Sequence, residues 1–149
     1  MKVVQLSCLM FVCTLTLADG APTETEPSAV QRLATATSAI QSKNWSAAIT
    51  ELKAVVKEDP RNADAHNLLV YSFRKQAKPD LPMAFEHYRT ALKLNPNHKG
   101  AHEYIGEAYL MDKKPAEAEK HLAELQRICG NKTCEEYLDL ANALTKYKS

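Results

Sequence analysis

The chain has 149 residues, with 19 Lys+Arg against 18 Asp+Glu, 45% hydrophobic residues and only 4 Gly. That length suits one domain or a short repeat array. A net charge near zero, with both signs interspersed, lacks the basic footprint of proteins that bind nucleic acid or anionic membranes. Four glycines also leave little material for a phosphate-cradling loop, and neither G-x-x-x-x-G-K-[ST] nor G-x-G-x-x-G occurs.

Residues 1–18 (MKVVQLSCLMFVCTLTLA) read as a secretory signal peptide, with basic Lys2, an apolar run, and small residues before a cleavage point after Ala18. The run is short, and Gln5, Ser7, Thr14 and Thr16 interrupt it, whereas a membrane span needs about 20 apolar residues. No membrane association is therefore expected once the leader is removed. Neither Cys8 nor Cys13 follows the small-apolar pattern of a lipoprotein box. Their loss with the leader leaves Cys129 and Cys134 as the cysteines of the exported chain, in a periplasmic or secreted setting where thiols oxidise. Losing Lys2 brings the balance to 18 minus 18, or zero. Residues 19–27 (DGAPTETEP) hold acids, Gly and Pro and no large apolar side chain, so they read as a disordered linker.

From residue 28 onward the sequence repeats itself. Ala48, Ala84 and Ala118 are each followed four residues later by Leu52, Tyr88 and Leu122, and seven later by Val55, Ala91 and Leu125, which is one face of a helix. The alanines are 36 and then 34 residues apart. The two extra residues fall in Lys78-Pro79-Asp80-Leu81-Pro82, where a turn absorbs an insertion cheaply. Upstream, His66, Leu69, Val70 and Phe73 form a stripe that His102, Ile105, Gly106 and Tyr109 repeat 36 residues later, and Leu33, Ala36, Thr37 and Ile40 give a degenerate first copy. The alanines and Gly106 are expected where antiparallel helices approach closely. The period, with Y-I-G-E-A-Y-L (Tyr104 to Leu110) and A-F-E-H-Y-R-T-A-L-K-L-N-P (Ala84 to Pro96), resembles the tetratricopeptide repeat, whose length is about 34 residues. The resemblance implies an all-α solenoid over residues 28–147, with helix-turn-helix repeats at about 28–62, 63–98 and 99–130.

Thr133 and Glu136 stand three apart like a capping box, and Tyr137, Leu140, Ala141, Leu144 and Tyr147 share one face. These signals predict a capping helix over 133–147 that buries the apolar face of the last repeat. Cys129 and Cys134 enclose the turn before it. Their C-x4-C spacing is not the C-x-x-C of thioredoxin-like enzymes, and a structural disulfide is the leading reading, with redox chemistry, metal binding and free thiols open beside it. The stretch from Ile128 to Leu144 resembles the tail of small exported tetratricopeptide proteins of proteobacteria, which implies a periplasmic location. Asn44-Trp45-Ser46 and Asn131-Lys132-Thr133 fit the N-glycosylation pattern, which has meaning only in a eukaryotic secretory pathway.

His98 and His102 stand one helical turn apart and are weak metal candidates. His66 with His102, and His87 with His121, occupy equivalent repeat positions that packing explains without a ligand, so neither metal nor cofactor is expected. No G-x-S-x-G elbow or comparable nucleophile setting exists, and no enzymatic activity is expected.

Stacked hairpins curve, and the first helix of each lines the concave side. The face opposite the packing stripe gives Asp64, Asn67, Tyr71, Arg74 and Lys75 in the middle repeat and Glu103, Glu107, Leu110 and Met111 in the last, with Gln31, Ala34, Ser38 and Gln41 in the first. Cations and an aromatic would thus face carboxylates and an apolar patch, a bipolar groove for a peptide with mixed charge and one apolar anchor. Some tetratricopeptide domains clamp a C-terminal carboxylate with Lys, Asn and Arg side chains; here the matching positions are Ala34, Ser38, Leu68, Gly100 and Tyr104, so that role is not carried over. The expected function is a protein-interaction module that docks a peptide or partner protein. Metal or thiol handling through Cys129, Cys134, His98 and His102, and structural self-association, are the alternatives.

Overall fold

The computed structural model describes residues 26–76 and 78–149, in which seven helices and no strand are found. The leader, residues 19–25 of the expected linker and Ala77 lie outside the described residues. The helices are α1 (Ala29–Gln41), α2 (Trp45–Glu58), α3 (Ala63–Arg74), α4 (Leu81–Leu94), α5 (Lys99–Met111), α6 (Pro115–Cys129) and α7 (Glu135–Lys148). Six of the seven begin at a side-chain cap or a proline, and α7, whose N-cap is Cys134, begins with neither. Ser28, Asn44, Asn62, Asp80 and His98 accept a hydrogen bond from a first-turn backbone N–H, while α6 opens on Pro115. None of the helices is long and apolar enough to cross a membrane.

The helices stack as antiparallel hairpins, α1 with α2, α3 with α4 and α5 with α6, each packing on the next, and α7 lies against α5 and α6. Ala48, Ala84 and Ala118 are all at most 1% exposed, so the repeated alanines sit in the core. Around them run three successive apolar clusters. Leu52 and Val55 belong to the first, Val70, Tyr88 and Ile105 to the second, and Leu110, Leu125, Leu140 and Leu144 to the third. No single central core exists among the described residues. Each hairpin hides its apolar face against its neighbours, as in a solenoid.

The hairpin turns explain the uneven period. Residues 42–44 and 112–114 join their helices in three residues, with Lys43 at φ 57° and Lys113 at φ 58°, in the left-handed conformation. In both turns the sixth residue closes back on the helix, Asn44 N–H to the Ala39 carbonyl and Lys114 N–H to the Tyr109 carbonyl, both at 2.8 Å. The middle turn, 75–80, is longer and carries the insertion.

Three expectations need correction. Counted from the N-caps Ser28, Asn62 and His98, the first repeat aligns one residue earlier than the apolar pattern suggested: Arg32, not Leu33, stands at the position of His66 and His102. Accordingly Thr37 is exposed, its hydroxyl donating to the Leu33 carbonyl at 2.9 Å, and Ala36 and Ala39 are the buried pair. The Thr133 capping box does not form. The Thr133 hydroxyl donates to Asn131 Oδ1 at 2.9 Å, and Cys134 is the N-cap, so α7 starts at Glu135. Gly106 does not serve its own hairpin. A Cβ there would stand 2.6 Å from Leu140 Cδ2, so it is α7 that needs the glycine.

Candidate functional site

Helices α3 and α5 run side by side in a fixed register along the face predicted to line the groove. The Asn67 amide nitrogen would be 3.2 Å from a Cβ on Gly100, the Tyr71 and Tyr104 ring centroids are 4.4 Å apart, and the Arg74 guanidinium pairs with the Glu107 carboxylate. Arg74 also stands 5.7 Å and 5.8 Å from the Tyr71 and Tyr104 rings and 3.7 Å from Met111 Sδ.

This packing redistributes the predicted charges. Asn67 is 3% exposed, and Arg74, Glu103 and Leu110 are each 8% exposed, so these four form the floor and not the rim. Arg74 is spent on Glu107. Burial first, and then the charges of Glu107, Asp139 and Glu136, push the Glu103 carboxyl up to about 8, so it is protonated at neutral pH. The expected opposition of free cations to free carboxylates is therefore absent here.

Five predicted residues, Arg74, Lys75, Glu107, Leu110 and Met111, do come together. They line a cavity of about 390 Å³ that Ala143, Lys146 and Tyr147 of α7 complete. Its lining is mixed: Arg74, paired with Glu107, and Leu110 lie at its base, Met111 and Tyr147 are 44% and 43% exposed, and Lys75 and Lys146 are its cations without a carboxylate partner among the described residues. The three α7 residues were missed because that helix was read as a lid over the solenoid's end. Counted from its N-cap Cys134, however, Ala143, Lys146 and Tyr147 occupy the positions that Glu107, Leu110 and Met111 occupy after His98. Carrying the groove register forward by one more step of 36 residues would have found them. In the first repeat, Ala34, Ser38 and Gln41 are exposed and line no part of this cavity, and Gln31 is used in the Ser28 capping box.

The histidines are organised by hairpin. His98 Nδ1 accepts from Ala101 N–H at 3.2 Å and its Nε2 is 3.0 Å from Asp64 Oδ1, while His102 turns to α6, so the predicted His98/His102 pair does not converge on one ion. Instead, His66 Nδ1 meets His87 Nδ1 at 2.9 Å and His102 Nδ1 meets His121 Nδ1 at 2.9 Å. At the same register in the first hairpin Arg32 pairs with Glu51 at 3.2 Å. Each hairpin thus carries one polar clasp between its helices, invisible until the register is corrected. Burial, with His102 beside it, pushes the His121 imidazole down to about 4, and burial lowers His87 and His102 as well.

Cys129 and Cys134 flank Gly130, whose φ of 69° ends α6, and their Cα atoms are 6.3 Å apart with the sulfurs in contact. Glu136 lies beside them, and among the described residues these three side chains converge.

Stacked helical hairpins with a cleft along their first helices define an α-solenoid built from repeats. The chain belongs to the tetratricopeptide repeat family, whose model matches residues 33–81 and 80–132. Among solved structures it is similar to the first tetratricopeptide domain of Spaghetti (RPAP3) bound to the HSP90 peptide SRMEEVD, at 18% identity and TM-score 0.68, covering 80% of this chain and 90% of that one. It is also similar to the TPR2B domain of yeast Sti1, in a complex with pHsp70, at 16% identity and TM-score 0.70, covering 80% and 95%. No curated protein matches the chain. At these identities the structural likeness is one of fold.

Proposed function

We propose that the chain is an exported, non-enzymatic interaction module that docks a peptide segment of a partner protein in the cavity between α3, α5 and α7. The observation that carries this reading is the cavity's make-up: Leu110 at its base and a half-exposed methionine and tyrosine, with Lys75 and Lys146 as the cations that no carboxylate neutralises among the described residues. A partner segment with one apolar anchor flanked by acidic residues matches it, the anchor supplying most of the affinity and the charges the orientation. Of the similar solved structures, the Spaghetti domain is bound to an HSP90 peptide and the Sti1 domain is in a complex with pHsp70, which supports peptide docking as a use of this fold. In the same reading the leader is removed after Ala18, the mature chain works in the periplasm or outside the cell, and Cys129 and Cys134 are joined there as a structural disulfide. The test is selection from a displayed random-peptide library on the mature chain, followed by affinity measurement. Enriched peptides should carry an acidic-apolar motif, and the double reversal Lys75→Glu/Lys146→Glu should weaken them at least tenfold while circular dichroism stays unchanged. Selection of no peptide, or binding indifferent to both that reversal and Met111→Ala, would remove this assignment.

A further inference from the structure

Counted from the N-caps Asn62, His98 and Cys134, the fifth residues of α3, α5 and α7 are Asn67, Glu103 and Asp139, so these three form one row across the groove. The row seven residues further along, Arg74, Leu110 and Lys146, belongs to the cavity. At 1.5 Å per residue the two rows stand about 10 Å apart. The cavity row carries cations. The other row ends in one amide and two carboxyl groups and carries none.

Two contacts fix Glu103 in the seam between α5 and α7. One turn before it, Lys99 Nζ is 3.4 Å from Glu136 Oε1, and one turn after it a Cβ on Gly106 would stand 2.6 Å from Leu140 Cδ2. Residues 99, 103 and 106 share one helical face, so Glu103 enters the same seam. It is more than nine-tenths buried, at 8% exposure, and among the described residues no hydrogen bond or ion pair satisfies its carboxyl. Its oxygens are not sealed, so the opening that the side chain keeps is at its polar end. A buried polar group without a partner calls for an explanation, and a ligand that supplies the partner is one. The cations on either side along the groove are already engaged, Lys99 by Glu136 and Arg74 by Glu107. Asp139 is exposed and has no ion pair among the described residues. Burial, and then the negative charges of Glu107, Asp139 and Glu136, keep the Glu103 carboxyl protonated up to about pH 8, against the opposing charge of Arg74. Tyr71 and Tyr104 also face it, and burial holds both phenols neutral.

We propose that Glu103, with Asp139 next to it in the row, receives a lysine or arginine side chain of the docked peptide, about three residues from the apolar anchor held in the cavity. That spacing follows from the distance between the rows, since about 10 Å is spanned by three residues of extended chain. The inference rests on the peptide-docking reading above and gives the peptide a second fixed point of opposite charge. On docking, the partner's ammonium or guanidinium donates to the carboxylate, and Glu103 passes its proton to solvent. The bipolar groove expected from the sequence is thus assembled only in the complex. Because the complex holds one proton fewer, affinity rises with pH up to about 8 and is level above it.

The experiment runs the displayed-peptide selection at pH 7 in parallel on the mature wild-type chain and on Glu103→Gln. The enriched peptide and its version with the basic residue changed to alanine are then titrated by calorimetry in phosphate and in Tris, whose heats of ionisation differ. Glu103→Gln keeps the shape of the protonated side chain and cannot ionise, and circular dichroism checks that it stays folded. The wild type should enrich a basic residue about three positions from the apolar anchor, and the variant should not. Replacing that residue by alanine should weaken binding to the wild type at least tenfold and leave binding to the variant unchanged. Wild-type binding should release about one proton at pH 7 and tighten about tenfold between pH 6.5 and 7.5. Acidic-apolar peptides without a basic preference, a preference that survives Glu103→Gln, or binding without proton release would refute this inference and leave the docking reading standing. Enrichment of no peptide would remove both.

Discussion

Glu103 shows how a single side chain changes meaning once its neighbours are known. It stands one turn before Glu107 on α5, 8% exposed, near Glu136 and Asp139 of α7, and burial followed by those like charges holds its carboxyl at about 8. Below about pH 4.5 the carboxyl is protonated in both folded and unfolded chains and its titration leaves stability alone. As pH rises above that, the unfolded chain ionises it and the folded chain does not, so stability is lost steadily until about pH 8. Glu103→Gln keeps the shape of the protonated form. It should therefore raise the unfolding free energy by about 3 kcal/mol at pH 7 and by almost nothing at pH 4, read from urea denaturation at both values. Equal stabilities of wild type and variant at pH 7 would mean that Glu103 is ionised in the fold like a surface glutamate. The helical face of Glu103 was legible in the sequence. Its burial was not, because a helical face fixes an angle and says nothing of the α7 residues that arrive 36 positions later.

At the scale of elements, the legible part was whatever recurs. The alanines at 48, 84 and 118, the helix count before Gly130 and the insertion in the middle turn all follow from period and turn chemistry, and all appear in the structure. What escaped was register where the apolar signal is weak. In α1 the small residues Ala36 and Ala39 do the packing, while Leu33 and Ile40 lie at its margin, so aligning large apolar residues shifted the copy by one and hid the Arg32–Glu51 clasp. The α5–α7 contact escaped for a related reason, since Gly106 was assigned to the closeness of its own hairpin. Its absent Cβ makes room for Leu140, which is itself 0% exposed and has nowhere to move. Gly106→Ala is thus a test of this contact. On an isolated helix the change would stabilise by up to about 1 kcal/mol. Here the overlap should reverse the sign and cost about 1–3 kcal/mol, measured as a lower midpoint in denaturant. A stabilised variant would place α7 farther from α5 than 2.6 Å to the Cβ position allows.

For the whole molecule, the solenoid's one-dimensional coupling decides where a perturbation is felt. Stability in such a stack is a sum of unit and neighbour contributions, so an end element supported from one side opens at lower free energy than the middle. Helix α7 is such an element, packed chiefly against α5 and α6, and it also supplies Ala143, Lys146 and Tyr147 to the cavity. The proposed Cys129–Cys134 bond spans a sequence separation of 5 at its base. Closing so short a loop removes modest chain entropy, worth about 2 kcal/mol, and that stabilisation falls on α7 because the loop joins it to α6. In the Cys129→Ser/Cys134→Ser double variant, amide hydrogens of α7 should therefore exchange about 30-fold faster, while those of α1 to α4 keep their wild-type rates. Peptide selected on the wild type should bind the variant more weakly, since one wall of the cavity is then open for a larger fraction of the time. Uniform acceleration across all seven helices would instead show that the chain unfolds as one cooperative unit, and that the bond acts on the whole stack and not on the wall of its cavity.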